Sequence, residues 1–405
     1  MQGTDYSQNY TKYNNLSFAS ASRWDDFLSS FYDSFNSSQE SDKWTIAVYM
    51  AADSNIELPA LEDINQMEEA DIPSDVNVVV QFDGNGDTGL KRYNIVKDQD
   101  TTTITSPIIV DAAEVDSGSS QSLSDFFSWT VDNYPADNYM LVVWDHGTGF
   151  REAPSRKAIS FDDTSSSRMT IPELGTALDS IYTKLGRKLD ILMLDASFMQ
   201  CAELLFEVGD DVSYILGTAY STPTKYAPYK EIINAMTADT TITPENYSKA
   251  IPPLYIASYS GGTQGSETCQ YSAVDTSQLA SFDTELTSFY DLLIQNFATY
   301  SMAYSWAYTS TIDYDVEFMD ISSYATNIKS QVNNSSIDNQ ADSLISAVDS
   351  LVVQNNHTGF GFYVTSGIYI YIPDNNGGTW NSTKTYYDGL AISTETTWNN
   401  FIDNL

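Results

Sequence analysis

Two apolar runs with polar ends decide the fold: YMLVVWDHGTGF at Tyr139–Phe150 and KLDILMLDASFMQCAE at Lys188–Glu203. Each run is short and bounded by turn-forming residues, with a helix-like segment between them, which is typical of neighbouring parallel strands in an α/β sheet. In such sheets the carboxyl ends of the strands carry the ligand site. We therefore expect the turn that contains His146 and the turn that contains Ser197 to meet at one edge of the sheet.

The alternation of strand-like and helix-like segments extends from residue 43 to about residue 240. This order predicts an α/β core, with a mostly parallel sheet flanked by helices on both faces. Residues 1–42 are rich in Ser, Asn, Asp and Tyr and are expected to form a partly disordered tail. Residues 241–405 are expected to pack on the core as a helical and strand extension, with two strands at Gly359–Pro373.

The composition restricts the classes of partner. The formal net charge is −37, with 18 basic and 55 acidic residues. Nucleic acid is an unsuitable partner for such a chain, because phosphate binding needs a basic surface. No run of apolar residues is long enough to span a membrane. The first residues contain no apolar signal-peptide core, and the two cysteines build no disulfide framework.

The two polar turns carry residue types suited to acyl transfer, which needs a nucleophile, a base and donors for an oxyanion. His146 is the candidate base and Ser197 the candidate nucleophile, at the expected start of a helix. The backbone N–H groups of Gly147 and Ser197 are the candidate oxyanion donors. The residues alone leave simpler interpretations open: a histidine at a strand end is often structural, and a serine at a helix start is often a cap.

The segment DGNGD at Asp83–Asp87 alternates carboxylate and amide oxygens, as calcium loops do. Its glycine is misplaced for an EF-hand, and no glutamate stands at the twelfth position. We therefore favour a hairpin turn, followed by a returning strand near Arg92.

Several longer segments together resemble one family, the clostripain-like cysteine peptidases, which have a caspase-like fold and cleave after basic residues. The resemblance covers nearly all of residues 43–405 and includes WTIAVYMAADSNIE, NYMLVVWDHGTGFR, RKAISFDDTSSSRMTIPELGTAL, KLDILMLDASFMQCAELLFEV, SGIYIYIP and YYDGLAISTETTWNNFI. It implies a caspase-like sheet and His146 as the catalytic base. It also implies that Asp195 keeps its family position and contributes to recognition of a basic side chain, although a strand-end carboxylate is an equally simple interpretation.

The chain departs from this family at the nucleophile. Where the family has cysteine in Asp-Ala-Cys-Leu-Met, this sequence has Ser197, and Cys201 lies four residues further on. A serine hydroxyl is far less acidic than a thiol and needs a rigidly held base. We therefore expect an inactive or strongly impaired peptidase, with Ser197 either engineered or natural. The alternatives are a pseudo-peptidase that binds peptides or proteins without cleaving them, and a serine hydrolase that uses Asp145 with His146 and Ser197.

A second departure lies at AYSTPTKYAPY, residues 219–229, where relatives carry an acidic segment. The loop between the two turns contains bases at which such peptidases process themselves, and its possible cut sites are Arg151, Arg156, Lys157 and Arg168. The resemblance further implies a peptide or protein substrate with basic residues and an extracytoplasmic location, in the periplasm or at the cell surface. We expect a monomer and no required cofactor. Calcium stays possible because some relatives use it, but the sequence alone shows no set of metal ligands.

Overall fold

The structure is a computed structural model that describes residues 41–86, 89–150, 159–359, 361, 365–373 and 378–403. The expected tail at residues 1–42 lies outside this range except for its last two residues. From Asp42 onward the described residues belong to one compact unit.

The strands of the described residues are, in chain order, β1 (Asp42–Ala52), β2 (Val76–Gly84), β3 (Leu90–Asn94), β4 (Ile108–Ala112), β5 (Ala136–Trp144), β6 (Ile159–Asp162), β7 (Ser167–Met169), β8 (Leu189–Asp195), β9 (Val212–Gly217), β10 (Ser260–Gly262), β11 (Gly265–Ser266), β12 (Cys269–Asp275), β13 (Asp313–Asp315), β14 (Phe318–Asp320), β15 (Val352–Thr358) and β16 (Tyr369–Tyr371). Nine of these strands form the central sheet, in the spatial order β15-β12-β9-β8-β5-β1-β2-β3-β4.

The helices of the same residues are α1 (Glu57–Glu68), α2 (Ser120–Asn133), α3 (Ile171–Leu185), α4 (Ala202–Val208), α5 (Tyr229–Asn234), α6 (Pro244–Tyr259), α7 (Leu279–Gln295), α8 (Phe297–Ser310), α9 (Ile321–Gln331), α10 (Ser335–Leu351), α11 (Gly378–Tyr387), α12 (Ala391–Glu395) and α13 (Trp398–Ile402). No helix within the described ranges is both long and apolar enough to cross a membrane.

The middle of the sheet is parallel, as the sequence predicts. Strands β9, β8, β5, β1 and β2 pair in parallel, and two antiparallel pairings complete each edge. The α/β class with a mostly parallel sheet is therefore confirmed. Strands β12 and β15 come from the expected C-terminal extension, so that this part of the chain shares the sheet of the core.

Both faces of the sheet are covered, because its central strands are apolar on both sides. In β5, Leu141 and Val143 enter one hydrophobic core, whereas Met140 and Val142 enter the other. Helices α2, α3, α4 and α7 contribute to the first core, and helices α1, α5 and α6 to the second. This layering fixes the strands and leaves their carboxyl ends as the place where loops converge.

Two local predictions have different outcomes. Strands β2 and β3 pair antiparallel, so the hairpin is confirmed; Asp83 and Gly84 belong to β2, and Asp87 lies outside the described residues. Of the expected strand pair at Gly359–Pro373, the second member corresponds to β16, whereas most of the first member lies outside the described residues. Strand β15 starts at Val352 because helix α10 ends there and β-branched residues pair with β12.

Candidate active site

The two predicted turns meet at the carboxyl ends of neighbouring strands. Strands β5 and β8 pair in parallel with Trp144 opposite Asp195, and His146 and Ser197 each lie two residues beyond the end of a strand. At Gly147 an added Cβ would lie 2.3 Å from the backbone oxygen of Ser197 and 2.7 Å from its nitrogen. Only glycine allows this approach of the two backbones, so the local sequence itself holds the turns together.

A third strand end supplies a partner for the imidazole. Asn55 follows β1, which is the other neighbour of β5, and its Oδ1 lies 2.9 Å from Nε2 of the half-buried His146. Because an amide oxygen only accepts, Nε2 carries the proton and Nδ1 keeps the lone pair that a base requires. Burial lowers the pKa of the His146 imidazole, and nearby Asp163 partly offsets this effect. The ring is therefore neutral near pH 7.

Ser197 is half-buried, and its hydroxyl accepts a hydrogen bond from the backbone N–H of Thr222 at 2.8 Å. The expected helix start at this position is wrong, because α4 begins only at Ala202. The intervening backbone bonds to other segments instead: Phe198 N donates to Tyr220 O, and Phe198 takes a left-handed φ of 62°. Ser197 thus lies in a loop, and a helix dipole does not act on its hydroxyl directly.

Cys201 cannot replace the missing nucleophile in this arrangement. It is fully buried at the N-cap position of α4, and burial together with the adjacent Glu203 raises the pKa of its thiol. A buried thiol with a raised pKa is inert. Cys269 is also buried, and neither cysteine forms a disulfide.

The aspartates before the two turns are buried and face different partners. Oδ2 of Asp145 accepts the backbone N–H of Phe161, and the hydrogen bond found for the His146 imidazole goes to Asn55 instead. Oδ2 of Asp195 accepts the Tyr229 hydroxyl at 2.8 Å and the Ala227 N–H at 3.0 Å. Burial raises the pKa of Asp195 to about 7. Its Oδ1 has no hydrogen-bond partner within the part of the chain that the structure describes.

The candidate processing sites are only partly covered. Arg151, Arg156 and Lys157 lie outside the described residues. Arg168 lies in β7, half-buried, with its guanidinium 5.8 Å from the centre of the Phe161 ring. A residue in a paired strand is a poor target for cleavage, because a peptidase needs an accessible backbone.

Asn55 is the residue of this site that the sequence interpretation missed. A signal existed, because the apolar strand β1 also ends in a polar loop, Asp53-Ser54-Asn55. That loop precedes His146 by about 90 positions, and only the strand order places β1 beside β5. With Asn55 included, the site contains an oriented neutral base, a hydroxyl and closely packed backbone amides.

The sequence and the fold both match known proteins. The sequence model of the Clostripain family matches residues 48–404. No curated protein sequence gives a significant match. Among solved structures, a secreted C11 cysteine protease from Bacteroides thetaiotaomicron in complex with an irreversible peptide inhibitor is 20% identical, with a TM-score of 0.67 over 88% of this chain and 99% of that chain. An inactive zymogen C11 protease from Parabacteroides distasonis is 18% identical, with a TM-score of 0.67 over 87% of this chain and 97% of that chain.

Proposed function

The chain belongs to the clostripain family. From this premise we propose that it has the scaffold of a peptidase that cleaves after Arg or Lys. We further propose that serine at position 197, in place of the catalytic cysteine, leaves it inactive or strongly impaired. As in any peptidase family, the substrates are peptides or proteins. The observation that carries the proposal is the packing of Gly147 against the backbone of Ser197, beside an oriented His146.

His146 acts as the base in this proposal, and Asn55 acts as its positioning residue. The pair suits a thiol, because a few per cent of a cysteine is already thiolate at neutral pH. It suits a serine poorly. Deprotonating a hydroxyl creates an imidazolium, which a triad carboxylate stabilises. Asn55 is uncharged, and the carboxylate of Asp145 is bonded to Phe161 instead, so the serine-hydrolase alternative lacks its third member.

Substrate binding would use groups in and beside the two turns. The backbone N–H groups of Gly147 and Ser197 are the proposed oxyanion donors, because the backbones of the two turns lie in contact. Asp195 is the proposed contributor to recognition of a basic side chain. Its buried Oδ1 lacks a hydrogen-bond partner among the described residues, and pairing with an Arg or Lys side chain would satisfy this oxygen.

The pseudo-peptidase remains the second candidate, and one observation favours it. The hydroxyl of Ser197 accepts the N–H of Thr222, which ties the nucleophile position to the 219–229 loop. A serine in this role would hold residues 219–229 in place. Such a protein would bind basic peptides and release them uncut.

The deciding experiment compares the chain with its Ser197→Cys variant on fluorogenic peptides that end in Arg, Lys or Leu. We expect no turnover by the unaltered chain, and turnover of the Arg and Lys peptides by the variant. In the Ser197→Cys chain, a second change His146→Ala should abolish turnover. A second change Asn55→Ala should instead lower kcat more than it raises KM, because Asn55 orients the base. Ser197→Ala is the matched control, because it changes the same atom without supplying a thiol.

The other outcomes are equally informative. Turnover by the unaltered chain that Ser197→Ala removes would support a serine hydrolase and contradict the proposal. No turnover by Ser197→Cys, with Arg peptides still binding by fluorescence anisotropy, would support the pseudo-peptidase. Loss of the preference for basic peptides in Asp195→Asn would support the role of Asp195, whereas an unchanged preference would remove it.

The relative from Bacteroides thetaiotaomicron is a secreted protease, which supports an extracytoplasmic location for this chain. An acidic surface also suits a protein that must stay soluble outside the cell and capture cationic peptides. We propose a monomer, and analytical ultracentrifugation at low and physiological salt is the direct test of that state.

A further inference from the structure

An aromatic surface lies directly beside Ser197. Phe198, the next residue, is half-buried, and its ring packs edge-to-face with the rings of Tyr220 and Phe318, at centroid distances of 6.3 Å and 5.7 Å. Tyr220 is also half-buried, whereas Phe318 is buried and stacks on Tyr369 at 4.4 Å. The aromatic wall formed by Phe198, Tyr220 and Phe318 therefore has a partly exposed front and a packed back.

The backbone of Phe198 is held in an unfavourable conformation. Its φ of 62° lies in the left-handed region, which bulky residues rarely adopt. The N–H of Phe198 donates to the carbonyl of Tyr220 at 2.9 Å, and the carbonyl of Phe198 accepts the hydroxyl of Tyr369 at 2.7 Å. Strained residues persist where the surrounding structure fixes them, and they cluster at binding and catalytic sites. These two hydrogen bonds therefore fix a large apolar ring next to Ser197.

The turn that carries His146 borders the same ring. At Gly149, three residues after His146, an added Cβ would lie 3.1 Å from Cβ of Phe198 and closer still to its carbonyl oxygen. Gly149 also has a left-handed φ of 55°, so both space and conformation favour glycine at this position. The aromatic wall thus adjoins the turn of the base as well as the loop of Ser197, which is where a peptide at the candidate active site would pass.

The aromatic wall and Asp195 lie on opposite faces of the central sheet. Tyr229, whose hydroxyl bonds to Asp195, belongs to the core on the side of α1, α5 and α6. Phe318 belongs to the other core, and the other two rings of the wall pack against that core. Successive side chains of an extended peptide point in opposite directions. A peptide that directs its basic side chain towards Asp195 therefore directs the neighbouring side chain towards the aromatic wall.

We propose that the aromatic wall is a second specificity subsite, which binds an apolar side chain of the size of Leu or Phe on the residue adjacent to the basic one. This inference rests on the proposed peptidase function, because it needs a peptide that passes Ser197. The surroundings suit an apolar group, since residues 198–202 and 219–224 contain no charged side chain. Aromatic rings offer large apolar areas to such a group.

The test measures the binding of labelled peptides to the full, unaltered chain by fluorescence anisotropy. Four peptides combine Arg or Gln at the central position with Leu or Ser at both neighbouring positions. Leu should tighten binding about tenfold over Ser, as the burial of one aliphatic side chain allows. Peptides with a single Leu, placed before or after Arg, identify the neighbour that contacts the aromatic wall.

Matched variants connect this preference to the aromatic wall. Phe198→Ala and Tyr220→Ala each remove one half-buried ring and keep the backbone hydrogen bond between the two residues. Each should reduce the preference for Leu over Ser to about threefold or less and leave the preference for Arg over Gln unchanged. Trp306→Ala, which removes a 62% exposed ring from α8, should retain both preferences. A ratio of affinities is insensitive to a partial loss of folded protein, so destabilisation alone would not change it.

The subsite and the proposed function fail in different ways. Equal binding of the Leu and Ser peptides, or a preference for Leu that both variants of the wall retain, would overturn the subsite. A preference for Leu without a preference for Arg over Gln would support the subsite and contradict the basic specificity of the proposed function. If none of the four peptides binds at millimolar concentration, both claims are contradicted.

Discussion

At the scale of single residues, the candidate site depends on how each polar atom is occupied. Asn55 fixes one nitrogen of His146, Thr222 engages the hydroxyl of Ser197, and Tyr229 binds the carboxylate of Asp195. Thr222 and Tyr229 both belong to residues 219–229, whereas Asn55 lies in the loop after β1. Replacing one of these residues therefore changes the geometry of a single group and leaves the sheet beneath it in place.

Asp195 gives a prediction for stability against pH. Burial raises its pKa from 3.8 to about 7, so the folded state prefers the protonated form. Below about pH 4 Asp195 is protonated in both states, and its full contribution to the free energy of unfolding is present. That contribution is lost as the pH rises to about 7. Asp195→Asn avoids that loss. We expect its advantage in free energy of unfolding over the unaltered chain to grow by about 2–3 kcal/mol between pH 5 and pH 8, measured by urea unfolding.

The control for this prediction is Asp349→Asn, which changes an exposed aspartate near the end of α10. Its effect should be the same at both values of pH. An advantage of Asp195→Asn that does not change with pH would mean that Asp195 is ionised throughout, and a hydrogen-bond explanation would replace the electrostatic one.

The sequence predicts the pair His146 and Ser197 because both follow consecutive apolar strands that a helix connects. A right-handed crossover places such strands side by side, with their carboxyl ends at one edge. Asn55 could not be predicted in the same way. It follows β1, which is distant from β5 in the chain, and only the order of the assembled sheet places these two strands side by side.

At the scale of elements, helix α3 shows how local sequence determines a boundary. Thr170 and Glu173 form a complete capping box, with Pro172 in the first turn and Gly186 in a left-handed conformation after the last residue. Each of these signals is visible in the sequence itself, so this helix and its boundaries are of the kind that a sequence determines locally. Boundaries without such signals are less predictable, as α4 shows, because tertiary hydrogen bonds override helical spacing at Met199–Cys201.

Thr170→Ala should destabilise the protein by about 1 kcal/mol, because it leaves the N–H of Glu173 without its side-chain acceptor. Thr176→Ala is a suitable control. Thr176 lies exposed inside the same helix, where alanine is the better helix former. Chemical denaturation should therefore show a loss for the first variant and no loss for the second. Equal effects of the two changes would argue against the cap as the cause.

At the scale of the whole molecule, the net charge of −37 dominates the electrostatics. Like charges repel in the compact state, and salt screens them as the Debye length falls from about 30 Å at 0.01 M to about 8 Å at 0.15 M. We expect Tm to rise by roughly 2–5 °C over this range of NaCl, with EGTA present to keep divalent cations out. A Tm that falls with added salt would show that attractive surface ion pairs outweigh the repulsion.

The contact between Gly147 and the backbone of Ser197 has a consequence for how a substrate enters. Because the two turns touch through their main chains and follow paired strands, their relative position is fixed by the pairing of β5 and β8. Residues 219–229 are also bound to the segment that carries Ser197: the N–H of Thr222 donates to its hydroxyl, the N–H of Phe198 donates to Tyr220 O, and Ala227 and Tyr229 donate to Asp195. An incoming peptide therefore meets a surface that is already fixed, and we expect binding to leave these segments in place.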